Sequence, residues 1–396
     1  MNKIEKIVYD CVKSNPKIKF LLRNAYQMAF DMLPTPKNEF SGDIDTANGY
    51  FFGFHDKSPF SADETKLLAH KTTIPVRMPK ADEPCGIGYF DFSPENGSRG
   101  KYHELAKSYG WNYHKGCRLQ WRCQTIMFNS IDGNNAVAIE IDTNGNVMHR
   151  YPYAIDTISN DGHYATSFSY ERLNVLMPGY GYEYCQDGGY LDENAPAETG
   201  LFLADLQTGE RKLLFSLKEL AESIGEQDIM SYKHYVTHTE FSHDGRYISF
   251  LHRWIGEDYR KRNSRLMVWD SITNKLHVMP TTGMASHYIW NHKHQIIAYC
   301  SVKEGDAHVL FDMANGSYTP ILLGKLNMDG HQSMLTDNIF ITDTYPDRRR
   351  MASLFCVDAA RQTMQRIAYV YSPKKFQTKD FHCHIACDLH PRVSPS

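Results

Sequence analysis

The sequence lacks a surplus of either charge: 43 Lys and Arg stand against 46 Asp and Glu in 396 residues, a formal net charge of −3. A dedicated nucleic-acid binder leaves a basic footprint, and none is present. Long apolar runs are also missing, since nowhere do about 18 apolar residues follow one another, so no transmembrane helix is expected. The opening stretch MNKIEKIVYDCVKSNPKIKF has neither the apolar centre nor the small-residue cleavage site of a secretion signal. Nine cysteines (Cys11, Cys85, Cys117, Cys123, Cys185, Cys300, Cys356, Cys383, Cys387) are scattered, odd in number and without a C-x-x-C pair, which argues against a disulfide framework. The expected setting is cytoplasmic and reducing. Absent too are G-x-x-x-x-G-K-[ST], H-E-x-x-H, G-x-S-x-G and a G-x-G-x-x-G between strand and helix, so NTP use, zincin proteolysis, serine-hydrolase chemistry and dinucleotide binding lose support.

What the chain does have is apolar mass, 42% hydrophobic and 13% aromatic, enough for a sizeable core. Ile4, Ile7, Val8, Cys11 and Val12, and then Ile18, Leu21, Leu22, Ala25, Met28, Ala29 and Met32, recur at helical spacing. Asn15 and Pro16 suit a helix start and Pro34 a stop. This N-terminal amphipathic helical segment, residues 1–47, reads as a cover packed on the main domain. Its lysine-rich side also suits contact with an anionic membrane surface through residues 3–33.

From residue 48 onward, short β-rich segments parted by Gly, Asn, Asp and Pro repeat one another. One half-unit is an "S-x-D-G-x-Y-I-x-F" strand pair, in KSPFSADETKLLAHK (57–71), ISNDGHYATSFSY (158–170), FSHDGRYISFLHRW (241–254), SHYIWNHKHQIIAYC (286–300) and GHQSMLTDNIFITDTY (330–345). The other is a "strand, Asp, turn, strand" hairpin, in 137–151, 200–214, 265–279, 308–321 and 353–367. Two hairpins make a four-stranded blade, and unit spacings of roughly 40 to 60 residues or more fit a β-propeller with enlarged loops. With LQWRCQTIMFNSI (119–131) and HPRVSPS (390–396) there are seven starts, so the expected fold is all-β, a seven-bladed β-propeller over residues 48–396. Only one half-strand of the seventh unit precedes the end of the sequence. Either a segment near residues 40–47 closes the ring or the last blade is incomplete.

Histidine is unevenly placed: 13 of 19 lie in residues 231–396. In a propeller the innermost strands begin at the central channel, so equivalent positions of successive blades converge. His238, His287, His331 and His390 each stand at or just before such a start. Converging imidazoles with a carboxylate such as Asp388 suit a divalent metal of the Mn, Zn, Fe or Ni type; the competing reading of each histidine is a channel-lining hydrogen-bonder. The run FHCHIACDLH (381–390) matches no standard zinc spacing. The Tyr/Gly-rich stretch 172–190, with Tyr180 and Tyr182, breaks the blade pattern. It reads either as a loop whose rings stack on sugar faces or as a packed insertion.

The phrases GYFFGFHDKSPF, WNYHKGCRLQW, VLMPGYGY, FLHRW, GMASHYIW, DGHQSM, ITDTYPDRRRM and CDLHPRVSP resemble a branch of the oligogalacturonate lyase-like β-propellers, often found with surface-polysaccharide genes. That family cleaves galacturonate disaccharides by β-elimination with a bound manganese, an arginine and a histidine. The resemblance implies Arg265 and His287 as catalytic residues, His331 as the first metal histidine, and His390-Pro391 as the end of the C-terminal metal motif. Asp388 stands where that motif has a histidine, and Ile385, which cannot ligate, where it has a glutamine; His382 or His384 is then the replacement ligand. His238 and His252 match further channel histidines. The implied function is cleavage of uronate-containing oligosaccharides, with an acidic oligosaccharide or polysaccharide as partner and manganese as cofactor. The alternatives are a non-catalytic propeller that binds acidic glycans or scaffolds surface-polysaccharide biosynthesis, and a metal-dependent hydrolase.

Overall fold

The computed structural model describes residues 30, 32–256, 262–373, 385 and 387–395. The two amphipathic helices expected within residues 3–32, and His382, Cys383 and His384, fall outside the described residues, apart from Phe30 and Met32.

Six antiparallel sheets follow one another along the chain. The first blade holds strands Tyr50–Phe51, Lys66–Lys71, Cys85–Ser93 and Ser98–Ser108. The second runs from Gln120–Arg122 to Val147–Tyr151. The third has three strands, Tyr164–Ser167, Gly200–Asp205 and Arg211–Ser216. The fourth begins with Lys233–Phe241, Tyr247–Ile255 and Arg262–Asp270, and the fifth opens on Ala285–Trp290. The sixth opens on Gln332–Met334 and ends on Thr363–Tyr371.

The repeating sequence units are turn chemistry. In the strand-pair turn, Ser242 Oγ donates to Asp244 Oδ1 at 2.7 Å, the Arg246 N–H donates to the same oxygen, and Gly245 takes φ +75°. Ser159, Asp161 and Gly162 repeat this arrangement. In the hairpins, the side chains of Asp142, Asp205, Asp270 and Asp312 each accept the N–H two residues on, an Asx turn that fixes Asp at one offset in every unit. Apolar residues on the blade faces form clusters between neighbouring blades, such as Leu251, Val268, Trp290 and Phe311 between the fourth and fifth.

Seven blades were expected and six are present among the described residues. The segment 390–395 begins no sheet among the described residues. It is extended, and bridges the sixth blade to the first: the His390 N–H donates to Asp343 Oδ2, the Val393 N–H to Ser333 Oγ, and Arg392 to the carbonyls of Lys57 and Gly53. A lone extended segment saturated by side chains and carbonyls on both sides has no need of a second strand, which is why it resembled a blade start in sequence. The outer edge of the sixth blade is closed by strand Glu39–Phe40, which pairs with Ala368 and Tyr369. Because Arg392 spans the seam with charged hydrogen bonds, Arg392→Ala is expected to remove about 2–3 kcal/mol of stability. A lower urea midpoint at unchanged slope would register the loss, and an unmoved midpoint would remove the seam role.

No helix among the described residues is long and apolar enough to cross a membrane.

Candidate metal centre on the propeller axis

Two β-bulges aim the axial histidines. Pairing between the fourth blade's first two strands slips between Thr237 and Glu240, and His238 in the slip takes φ +55°. The fifth blade slips between Ala285 and Tyr288, around His287. An extra residue in one strand turns a side chain away from the sheet face it would otherwise occupy, here toward the axis. His390 also takes a left-handed φ, +44°, a conformation costing of order 1 kcal/mol or more and found where function over-determines the backbone.

The imidazoles meet. Ring centroids of His287 and His331 are 4.1 Å apart and those of His331 and His390 are 4.2 Å apart. His238 lies 5.9 Å from His287. Three residues not singled out from sequence as site residues complete the group: His55, 5.2 Å from His331; His114, 6.4 Å from His390; and Phe54, whose ring lies against five of the imidazoles. All six histidines are 3% exposed or less. Ligand atoms of His114, Asp388 and His390 lie within 4.8 Å of one another, with His114 Nδ1 3.9 Å from Asp388 Oδ2. Asp388 and His390 thus group with His114, while His331 approaches them through the His390 ring.

Four of the imidazoles are held through Nδ1 by carbonyls or carboxylates. His331 Nδ1 donates to Asp343 at 2.9 Å, His390 Nδ1 to the Gly53 carbonyl at 2.7 Å, His55 Nδ1 to the Gln332 carbonyl at 2.9 Å and His287 Nδ1 to Asp329 Oδ1 at 3.1 Å. These acceptors assign the proton to Nδ1 and leave Nε2 as a lone-pair donor. The Nε2 atoms of His238, His331 and His390 are buried with no hydrogen-bond partner. Burial and neighbouring imidazoles hold His55, His331 and His390 well below the usual histidine range, and burial with Arg253 does the same for His238. Neutral imidazoles, oriented through Nδ1 by carbonyls or carboxylates and presenting unpartnered Nε2 atoms, are the donor set that suits a divalent transition metal.

The carboxylates behind them differ. Burial raises Asp343 to about 6, against the N–H groups of His331 and His390. Burial would also raise Asp329, but the His287 imidazole and the Ser286 hydroxyl bring it down to about 2. Gly330 has no room for a side chain, since a Cβ would stand 2.0 Å from the Asp343 carbonyl oxygen. Gly330→Ala is therefore expected to push His331 off Asp343 and weaken metal binding at least tenfold. Metal affinity equal to wild type would contradict this.

Arg265 and His252 stand apart from the axis. They face each other across paired strands, with Arg265 Nε donating to His252 Nδ1 at 3.2 Å. His252 Nε2 is bonded to His234, and Arg265 is further bound to the Leu220 carbonyl and Ser223. Among the described residues neither makes a ring or hydrogen-bond contact with the axial imidazoles. Side chains alternate along a strand, so the neighbouring Arg253 emerges on the opposite face. There it donates to the Ala285 carbonyl at 3.3 Å and acts electrostatically on His238 and Tyr180, while its Nε has no partner. Tyr180 lies on the His114 ring at 4.3 Å. Tyr182 is a core residue, 1% exposed, stacked on Tyr170 and bonded to Asn129, and offers no ring face to a ligand. His55 also lines a cavity of about 740 Å³ at one mouth of the channel, with Lys57, Trp121, Glu240, Trp290 and Arg392.

No family model and no curated protein sequence matches this chain. Among solved structures, oligogalacturonate lyase from Vibrio parahaemolyticus is similar at a TM-score of 0.53 and 11% identity, over 91% of this chain and 92% of that one. At this identity the likeness establishes the propeller fold alone. An oligogalacturonate lyase in complex with manganese matches at a TM-score of 0.41 and 13% identity, covering 86% of this chain and 99% of that one. TolB from Acinetobacter baumannii matches at 0.40 and 10% identity, covering 77% of this chain and 64% of that one.

Proposed function

We propose that this propeller is a metal-dependent carbohydrate-active enzyme that cleaves uronate-containing oligosaccharides by β-elimination, as the name oligogalacturonate lyase states of its structural neighbour. The observation that carries the reading is the set of buried, unpartnered Nε2 atoms on imidazoles anchored through Nδ1. His331, Asp388 and His390, with His114, would hold the metal. Manganese or a similar divalent ion supplies a positive charge against the uronate carboxylate, favouring the enolate-like charge of elimination. His287 is the proposed base: Asp329 holds its Nδ1 proton, leaving Nε2 to take the proton from sugar C5. The proposed fixed cation is Arg253 rather than Arg265, because Arg253 acts electrostatically on His238 and Tyr180 while Arg265 faces His252. Tyr180 and His238 line the chamber.

The test is incubation with uronate oligosaccharides and manganese, following the ultraviolet absorbance of the conjugated unsaturated product. The expected result is a new chromophore, reduced by about 10²–10⁴ in rate in His287→Ala and strongly in Arg253→Ala, with Arg265→Ala retaining more turnover than Arg253→Ala. Metal binding without a chromophore would overturn elimination. One observation favours a second reading, an acidic-glycan binder without turnover: the axial imidazoles are nearly closed off, His114 and His331 being 1% exposed or less. Glycan binding with no product of any kind would establish it.

A further inference from the structure

A second cluster of metal-binding side chains lies away from the axis, between the first and second blades. His70 sits on the strand Lys66–Lys71, Cys85 opens the strand Cys85–Ser93, and Cys117 comes from the connection into the second blade. Ligand atoms of all three lie within 4.8 Å of one another, and none of the three is exposed. His70 Nε2 is 3.1 Å from Cys117 Sγ and accepts the Cys117 N–H at 3.1 Å, while His70 Nδ1 is buried with no partner. Phe51 stacks on the ring at 4.7 Å, and Gly116 lies so close that a Cβ there would meet His70 Cε1 at 2.3 Å. The surroundings are apolar: Ile87, Trp111, Leu119 and Ile126 belong to the same buried cluster.

We propose that His70, Cys85 and Cys117 form a buried site for a soft, thiophilic metal ion, with three-coordinate Cu(I) preferred to four-coordinate Zn(II). Thiolate ligands select Cu(I) and Zn, and structural zinc is almost always four-coordinate. The Ser108 hydroxyl beside Cys117 also donates to the Asn129 carbonyl and accepts the Gly110 N–H.

The proposal is tested on the full chain, purified anaerobically under reductant from copper-supplemented cells and also titrated with Cu(I) or Zn(II) in competition with a chelator. The expected result is one Cu(I) per chain with a thiolate-to-metal charge-transfer band in the near ultraviolet, lost in Cys117→Ser and Cys85→Ser and retained in His331→Ala. If the cysteine variants do not fold, the band is read in Cys387→Ser, because Cys387 Sγ lies 3.4 Å from His390 Nδ1 and is the cysteine beside the axial group; its persistence there supports the proposal and its loss overturns it. Loss of Cu(I) only in His331→Ala would put the ion at the axial site and overturn the proposal. Absence of the band under both loading conditions, its survival in Cys117→Ser, tighter binding of zinc than of copper, or a Cys85–Cys117 disulfide in the intact mass would each overturn the proposal.

Discussion

Acidifying the metal-free protein from pH 7 to pH 5 is expected to unfold it cooperatively. His55, His238, His252, His331 and His390 are held well below the usual histidine range, chiefly by burial and then by neighbouring cationic groups. Burial brings His234 and His308 down to about 4. In the unfolded chain each of these side chains takes up its proton near pH 6.5, and in the folded protein only at lower pH. The unfolded state therefore binds more protons throughout that interval. Stability falls as the pH drops below 6.5, by up to about 1.4 kcal/mol per pH unit for each histidine. Seven such groups acting together outweigh a total stability of about 5–15 kcal/mol within one or two pH units. Asp343, raised to about 6, and Asp187 and Glu240, raised by burial, work in the opposite direction, but as three groups against seven. Circular dichroism against pH, with proton uptake from titration, measures the effect. A protein still native at pH 4 would show that these imidazoles are not held neutral by the fold. Added manganese is expected to move the midpoint to lower pH, because the ion binds only neutral imidazole.

The second large effect is Asp156→Ala. Asp156 Oδ1 accepts from Lys115 Nζ at 2.9 Å and the Tyr170 hydroxyl at 2.8 Å, and Oδ2 accepts from the Thr239 N–H at 3.0 Å and its hydroxyl at 2.7 Å. Its main-chain carbonyl accepts from Arg118, whose guanidinium also grips Asp56 of the first blade. Asp156 therefore joins the first four blades near the axis. Burial brings Lys115 down to about 8, with Asp156 opposing that fall. Removing the carboxylate leaves Lys115 without its partner in a site 1% exposed. Breaking a buried pair from one side costs about 3–5 kcal/mol, and a lower urea midpoint is the expected result. Asp156→Asn, which keeps the shape and some hydrogen bonds, is expected to lose less. A variant as stable as wild type would mean the Lys115 charge is solvated in a way its burial does not allow.

The propeller was legible because its turns constrain sequence: Asx turns require Asp at one offset, and the strand-pair turns place Ser, Asp and Gly in register. The blade number was misread because a half-strand starting with His-Pro has the composition of an inner strand, and its partners on both sides come from distant parts of the chain. Histidines at inner-strand starts stand out by repetition, which is why His238, His287, His331 and His390 were expected to converge. His55 and His114 lie outside the aligned units, in GFHDKSPF and WNYHKGC, so the repeat gave no signal for them. Arg265, expected beside His287, faces His252 across paired strands. Consecutive strand residues face opposite sides of the blade, and a motif in one strand does not tell which neighbouring arginine lies nearer the axial imidazoles.

The axial account is tested most directly by anomalous diffraction from crystals of the protein soaked in manganese. The expected result is one strong peak on the propeller axis, about 2.0–2.2 Å from Nε2 of His331 and His390, and its disappearance in the His331→Ala, His390→Ala double variant. A peak confined to the surface, or none at a manganese concentration that loads other sites, would contradict it.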